Sequence, residues 1–374
     1  MKSPADPLLV VRLTPPGRGA IATLRVEGPG AARAVGSLFT PRNGRPLESF
    51  SPGRLALGEL ALGLGHREQA VARPGADGSV ELHCHGGRAV VAQVEAALSR
   101  QGCQSIPWQD WATLREPSQI AAEARVALAA ARTERTAAIL LDQYQGALDQ
   151  ALLALTESID RGDTSAARLQ AQALLARAEL GHHLTKPWRV VLAGPPNVGK
   201  SSLINALLGY QRAIVHPTPG TTRDAVTAVT AIEGWPVELC DTAGLRPAVD
   251  RIELAGVEQA LVEIASADLV LLVSDLTQPW PAASEQLLKS ASNAMVVHNK
   301  SDLSPVSDAS RPVGLRTSSL TGDGIAALEQ AIASRLVRDP PPPGTAVPFT
   351  KRQIAMIEEM TSSEFTKDRN PGEG

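Results

Sequence analysis

Residues 189–209 read RVVLAGPPNVGKSSLINALLG, and the fold is decided there. A short apolar run ends at Gly194, a loop follows, and a helical pattern opens at Lys200. The loop, Gly194, Pro195, Pro196, Asn197, Val198, Gly199, Lys200, Ser201, matches G-x-x-x-x-G-K-S, and it lies where that pattern works, between a buried strand and a helix start. Backbone N–H groups of such a loop and the positive end of the helix wrap a β-phosphate. Lys200 then reaches the β- and γ-phosphates, and the Ser201 hydroxyl is placed to coordinate Mg²⁺. Asn197, Val198, Gly199 and Ser202 complete the expected phosphate contacts.

Outward from this loop, strands alternate with helices: VTAVTAI, VELCD, a helix from Ile252, LVLLVSD, a helix, AMVVHN, GLRTSS, then IAALEQAIASRL. Such alternation predicts a mostly parallel sheet with helices on both faces. The tight Glu233 to Pro236 turn predicts one hairpin and hence one antiparallel edge strand. The expected architecture is α/β and α+β multidomain, with the P-loop domain over 187–338. Before it, 1–115 reads as a small α+β domain of short apolar runs broken by Gly and Pro. The Ala/Leu-rich stretch 116–186, proline-free from about Ser118 to Leu184, reads as two or three long amphipathic helices, with Asp163, Thr164 or Ser165 capping the second. Residues 339–374 read as a Pro-rich linker, one helix and a disordered tail.

Three further motifs follow the phosphate loop in order. Asp241, Thr242, Ala243 and Gly244 leave the end of VELC about forty residues downstream of Ser201, so Asp241 can hold Mg²⁺ through water while Gly244 approaches a γ-phosphate. Between them, Gly220, Thr221, Thr222, Arg223 and Asp224 can supply a hydroxyl to the same ion, with Thr222 as the expected ligand, and close as a switch. Asn299, Lys300, Ser301 and Asp302 set the base. A carboxylate at Asp302 accepts from both N1–H and the exocyclic amine of guanine, a donor pair that adenine lacks. Lys300 can lie over the base, and the loop Thr317, Ser318, Ser319 can offer N–H groups to the guanine O6. The combination predicts a GTP- and GDP-binding GTPase. Leu245 stands where Ras-like enzymes carry a water-orienting glutamine, so hydrolysis must be organised another way.

Composition narrows the setting. With 43% hydrophobic and 20% charged residues and a net charge of −3, the 374-residue chain is neither a basic DNA-binding protein nor a membrane protein, having no apolar run near ~18 residues. Cys84, Cys103 and Cys240 are scattered and odd in number, which argues against a disulfide framework and for a reducing cytoplasm.

GPPNVGKSSLINALLGYQRAIVHPTPGTTRD followed by DTAGLRPAVDRIELAGVEQA resembles the G domain of the MnmE, or TrmE, family of tRNA-modification GTPases. TPPGRGAIATLRVEG, FTPRNGRPL and VELHCHGG are similar to that family's folate-binding domain, and AEARVALAAARTERTAAILLDQYQGAL to its helical domain. The resemblance implies K⁺-assisted hydrolysis, with Asn197, His216, Thr218 and Thr221 around the ion and Glu253 orienting water indirectly. It also implies a tetrahydrofolate derivative at Arg25 and Glu81, a homodimer, a flavoprotein partner, and tRNA wobble uridine as the site modified. Departures are the family segment PGEFTxRAFLNGKLDL, missing between Trp111 and Ala121, and the carboxyl-terminal helical half with its Cys-Ile-Gly-Lys-like motif. An alternative reading is therefore a shortened paralogue that keeps the GTP switch without tRNA chemistry.

Overall fold

The computed structural model describes residues 7–17, 19–63, 65–210, 227–241, 262–291 and 293–365. The chain forms two compact units, Met1–Ala122 and Glu123–Gly374.

The first unit is built on a seven-stranded sheet in the order β3-β4-β5-β6-β2-β1-β7. Its strands are β1 (Leu9–Arg12), β2 (Ile21–Glu27), β3 (Phe39–Pro41), β4 (Ala56–Gly63), β5 (His66–Pro74), β6 (Val80–His85) and β7 (Gln104–Ile106). Pairing is antiparallel except between β1 and β7. β4 alternates strictly between buried and exposed residues, which is the mark of a sheet with one dry face. Helix α1 (Ala31–Gly36) and helix α2 (Arg88–Arg100) contribute Val35, Val91, Val94 and Leu98 to the core with Leu24, Leu60 and Leu82. Helix α3 (Trp108–Arg115) packs on β1. β5 is hard to read from sequence because its buried positions hold only Ala70 and Ala72, too small to mark an alternation. Helix α1 ends at Gly36, and Phe39 already pairs with Leu60 across the sheet.

The second unit holds a six-stranded sheet, β13-β12-β11-β8-β10-β9, made of β8 (Trp188–Ala193), β9 (Thr227–Ile232), β10 (Trp235–Asp241), β11 (Leu269–Asp275), β12 (Ala294–Asn299) and β13 (Leu315–Arg316). All pairs are parallel except β9 with β10. That hairpin turns through Glu233 and Gly234, both at positive φ, 49° and 79°, so the right-twisted strands meet without splaying. Every residue of β11 is buried, as expected of a central parallel strand covered on both faces. The helices that follow β8, β11 and β13 are α9 (Lys200–Tyr210), α10 (Ala282–Ser290) and α11 (Ile325–Leu336).

Instead of two or three long helices, 116–186 forms five: α4 (Gln119–Leu128), α5 (Glu134–Tyr144), α6 (Ala147–Asp160), α7 (Thr164–Leu175) and α8 (Ala178–His182). The breaks have local causes. Thr133 caps α5 by accepting from Thr136 N, and Gly146 takes φ 99° ahead of α6. Asp163 Oδ1 accepts from Ala166 N at 3.0 Å to cap α7, as the RGDTS turn predicts. Helix α12 (Lys351–Phe365) packs against α7 and α6, and Glu123 receives a two-pronged bond from Arg352 at 2.6 and 2.9 Å plus Gln353 Nε2 at 2.7 Å. The Pro-rich stretch is held too: the fully buried Gln143 donates to Thr345 O and accepts from Val347 N. Among the described residues no helix is long and apolar enough to cross a membrane.

Candidate functional site

The carboxyl ends of β8, β10, β11 and β12 converge on one edge of the second sheet, which is where open α/β sheets bind ligands. β8 delivers the phosphate loop. Gly194, at φ 145°, passes so close to β11 that a Cβ there would stand 2.2 Å from Val273 O. Asn197 at φ 65° and Gly199 at φ 94° complete the curl into α9. A Cβ on Gly199 would stand 2.3 Å from Asn299 Nδ2, so glycine is required for the phosphate loop and the base-reading loop to touch. Lys200 is 5% exposed, and its ammonium donates to Gly194 O at 2.9 Å and Pro195 O at 2.8 Å, folded back over the loop it belongs to. Ser202 and Ser201 lie in the first turn of α9.

The parallel pairing of β8 with β10 sets Asp241 opposite Leu192, and Ser201 Oγ donates to Asp241 Oδ2 at 2.5 Å. Two oxygen donors forty residues apart in sequence thus meet at one point, which suits a hard cation such as Mg²⁺. Asn299, fully buried at the end of β12, donates to Val198 O at 2.9 Å and Ser319 Oγ at 3.2 Å and accepts from Ser319 N. It ties the phosphate loop to the 317–319 loop. Ser318 Oγ donates to Asp302 Oδ1 at 2.6 Å, orienting the carboxylate expected to read the base. The structure brings together Asn197, Val198, Gly199, Lys200, Ser201, Ser202, Asp241, Asn299, Lys300, Asp302, Ser318 and Ser319. His216, Thr218, Thr221, Thr222, Thr242, Ala243, Gly244, Leu245 and Glu253 lie outside the described residues.

Asp275 is a site residue that the motifs do not mark. It ends β11 opposite Asn299 and binds the Lys300 ammonium at 2.6 Å. Burial works against its charge, yet the bonds from Lys300 and Thr277 hold its carboxyl below the ordinary range. The only available signal was its place at the end of a buried strand.

In the first unit, Arg25 and Glu81 face each other across β2 and β6, with Arg25 Nη1 3.6 Å from Glu81 Oε1. Arg25 also donates to Glu27 Oε2 at 2.9 Å and pairs with Asp77. Glu27 Oε1 accepts from Trp111 Nε1 and Arg115 Nε, each at 2.8 Å. Despite burial, these donors keep the Glu27 carboxyl below its usual range. The cluster borders a cleft of about 630 Å³ lined by Arg25, Glu27, Asp77, Trp111 and Arg115 with the Gly28 to Ala32 turn. Glu27 was within reach of sequence reading, since it shares a strand face with Arg25 at a spacing of two. Trp111, Arg115 and Asp77 were not, because only folding brings them there.

The chain is similar to known GTPases. The family model described as 50S ribosome-binding GTPase matches residues 189–300. The chain is 35% identical over 339 residues to the tRNA modification GTPase MnmE of Heliobacterium modesticaldum, covering 78% of this chain and 71% of that protein. To the tRNA modification GTPase MnmE of Thermus thermophilus it is 34% identical over 389 residues, covering 94% of this chain and 87% of the relative. To that of a Synechococcus species it is 33% identical, covering 93% and 84%.

Proposed function

This chain belongs to the MnmE family of tRNA-modification GTPases, and on that footing we propose that it binds GTP at the β8, β10 and β12 ends, hydrolyses it to GDP and phosphate, and serves tRNA modification. One observation carries the nucleotide reading: Asn299 bonds both the phosphate loop, at Val198 O, and the base loop, at Ser319. Phosphate binding and base reading are thereby one rigid constellation, which is what a nucleotide needs and a chance Gly-rich turn lacks. In hydrolysis, a water oxygen bonds to the γ-phosphorus and the bond to the β–γ bridging oxygen breaks. Charge gathers on that oxygen and on the γ-oxygens. The Lys200 ammonium and the N–H groups at the start of α9 lie on the phosphate side, where they offset that charge. Ser201 and Asp241 would hold Mg²⁺, which would supply positive charge against the charge that develops on the phosphates.

The finer reading is K⁺ assistance. Asn197, at positive φ on the rim of the phosphate loop, would supply one oxygen to K⁺, whose charge would do the work of an arginine finger; His216, Thr218 and Thr221 are the other proposed ligands, and Glu253 the proposed water-orienting group. At equal ionic strength, GTPase activity in KCl is expected to exceed that in NaCl by about tenfold or more, a modest share of the 10³–10⁵ an arginine finger supplies. Glu253→Ala should strongly lower the rate in KCl, because the attacking water loses its proposed orienting group. Equal rates in the two salts would rule out the cation role. Repeating the assay over a range of protein concentrations tests the proposed homodimer, since a reaction needing two G domains rises faster than linearly. Nucleoside analysis of tRNA from a deletion strain, looking for loss of a 5-aminomethyl-type wobble uridine, tests the cellular role and with it the proposed flavoprotein partnership.

For the first unit we propose a tetrahydrofolate derivative as the occupant of the Arg25 cleft. The donor set fits: a buried carboxylate at Glu27 matches the donor edge of a pteridine ring, Trp111 offers an aromatic wall, and Arg115 a cation. When bound, the cofactor would supply the one-carbon unit. Titration of a reduced folate against the intact chain should show binding that weakens at least tenfold in Glu27→Gln, the scale of one charged hydrogen-bonding group left unpaired. Undiminished binding in that variant would displace the cofactor from this cleft.

A further inference from the structure

Lys300 is held in an uncommon backbone conformation. It sits at φ 64° directly after β12, a left-handed backbone that a long side chain seldom adopts without outside support. The support is visible in the neighbouring strand. Parallel pairing sets Asp275 level with Asn299, and Leu276 N donates to Asn299 O at 3.0 Å, so the strand ends β11 and β12 leave the sheet locked together. Asp275 is itself immobilised: its Oδ1 accepts from Thr277 N at 2.8 Å and Thr277 Oγ1 at 2.7 Å. The other oxygen, Oδ2, is therefore aimed, and the Lys300 ammonium meets it at 2.6 Å. The Asp275 side chain is 8% exposed and that of Lys300 33%, so the pair is shielded on the acid side and open along the lysine stem.

We propose that Asp275 is a positioning residue for purine recognition: it clamps the Lys300 ammonium and so fixes the four-carbon stem of Lys300 as an apolar wall for the flat face of the base. This rests on the nucleotide reading given above and deepens it by dividing labour. Asp302 reads the edge of the ring by hydrogen bonding, and Asp275 acts through Lys300 on its face. A wall does not distinguish one purine edge from another, so the two carboxylates have separable signatures.

The test uses the full chain and displacement of fluorescent GDP by GDP and by IDP, whose hypoxanthine lacks the exocyclic amine. Asp275→Asn should weaken GDP and IDP alike, by about tenfold each, as for loss of one charged hydrogen bond, leaving their ratio as in the parent. Asp275→Glu should restore most of the loss. Asp275→Asn combined with Lys300→Ala should bind no worse than Lys300→Ala alone, because the carboxylate acts only through the lysine. The proposal is overturned if Asp275→Asn binds GDP as tightly as the parent, if the two losses add, or if the GDP-to-IDP ratio collapses, which would mark a general loosening of the 299–302 loop. Failure of the parent chain to bind GDP at all would instead remove the nucleotide reading on which the proposal stands. Should Asp275→Asn melt well below the parent, the Asp275→Glu rescue and the additivity comparison still decide.

Discussion

Lys200→Ala is expected to reduce GTP turnover by about 10²- to 10³-fold, the scale on which removing one preorganised charge-stabilising donor acts. Lys200 is 5% exposed, and its ammonium is bound to the carbonyls of Gly194 and Pro195. It is thus desolvated before any nucleotide arrives, and much of the cost of burying a charge is met by folding rather than by binding. A phosphate that draws Nζ off those carbonyls exchanges neutral acceptors for anionic ones in a shielded site, where attraction is strongest. Alanine leaves the developing charge on the γ-phosphate without this partner. Because the interaction grows as charge shifts in the transition state, turnover should fall more than GDP affinity does. Single-turnover hydrolysis alongside equilibrium binding separates the two. A variant that binds and hydrolyses GTP normally would remove Lys200 from the mechanism. The truncation also leaves two loop carbonyls less well satisfied, so a thermal melt belongs beside the rate measurement.

Asp302→Asn is expected to exchange guanine for xanthine. Ser318 Oγ donates to Asp302 Oδ1, and an asparagine that keeps its carbonyl oxygen on that hydroxyl must turn its amide nitrogen toward the base. An N–H₂ group faces the guanine amine donor to donor, and GTP affinity should fall by about 10⁴-fold, as when a site built for a hydrogen bond meets the wrong partner. Xanthine presents a carbonyl where guanine presents that amine, so XTP should bind better to the variant than to the parent. Competition of GTP and XTP for hydrolysis reads the exchange directly. Loss of both nucleotides without the reversal would mean that Ser318 and Asp302 shape the loop without reading the base.

The parts of the site that were legible in sequence share a physical property: each is a short stretch whose backbone does the chemistry locally. The phosphate loop needs glycines where the chain turns under its ligand, and a lysine and serine at a helix start. These requirements are met within eight consecutive residues, Gly194 to Ser201. Asn299 to Asp302 likewise works as one turn beyond a strand. The helical segment was less legible. Its apolar periodicity is right, but the chain breaks at Thr133 and Gly146 because of a cap and a left-handed glycine, which periodicity does not register. β5 escaped because alanine fills its inward positions.

The sequence by itself determined the parallel sheet with one antiparallel hairpin, the order of the nucleotide motifs and the preference for guanine, since spacing and residue chemistry along the chain suffice for these. Only the tertiary structure decided what lies next to what. Sheet register put Asp275 beside Lys300 and Ser201 against Asp241. Strand pairing set Arg25 across from Glu81, and the turn and helix that followed brought Asp77 and Trp111 to the Arg25 and Glu27 side chains. Contacts between residues far apart in sequence arise from pairing and packing across the whole sheet, and no local pattern encodes them.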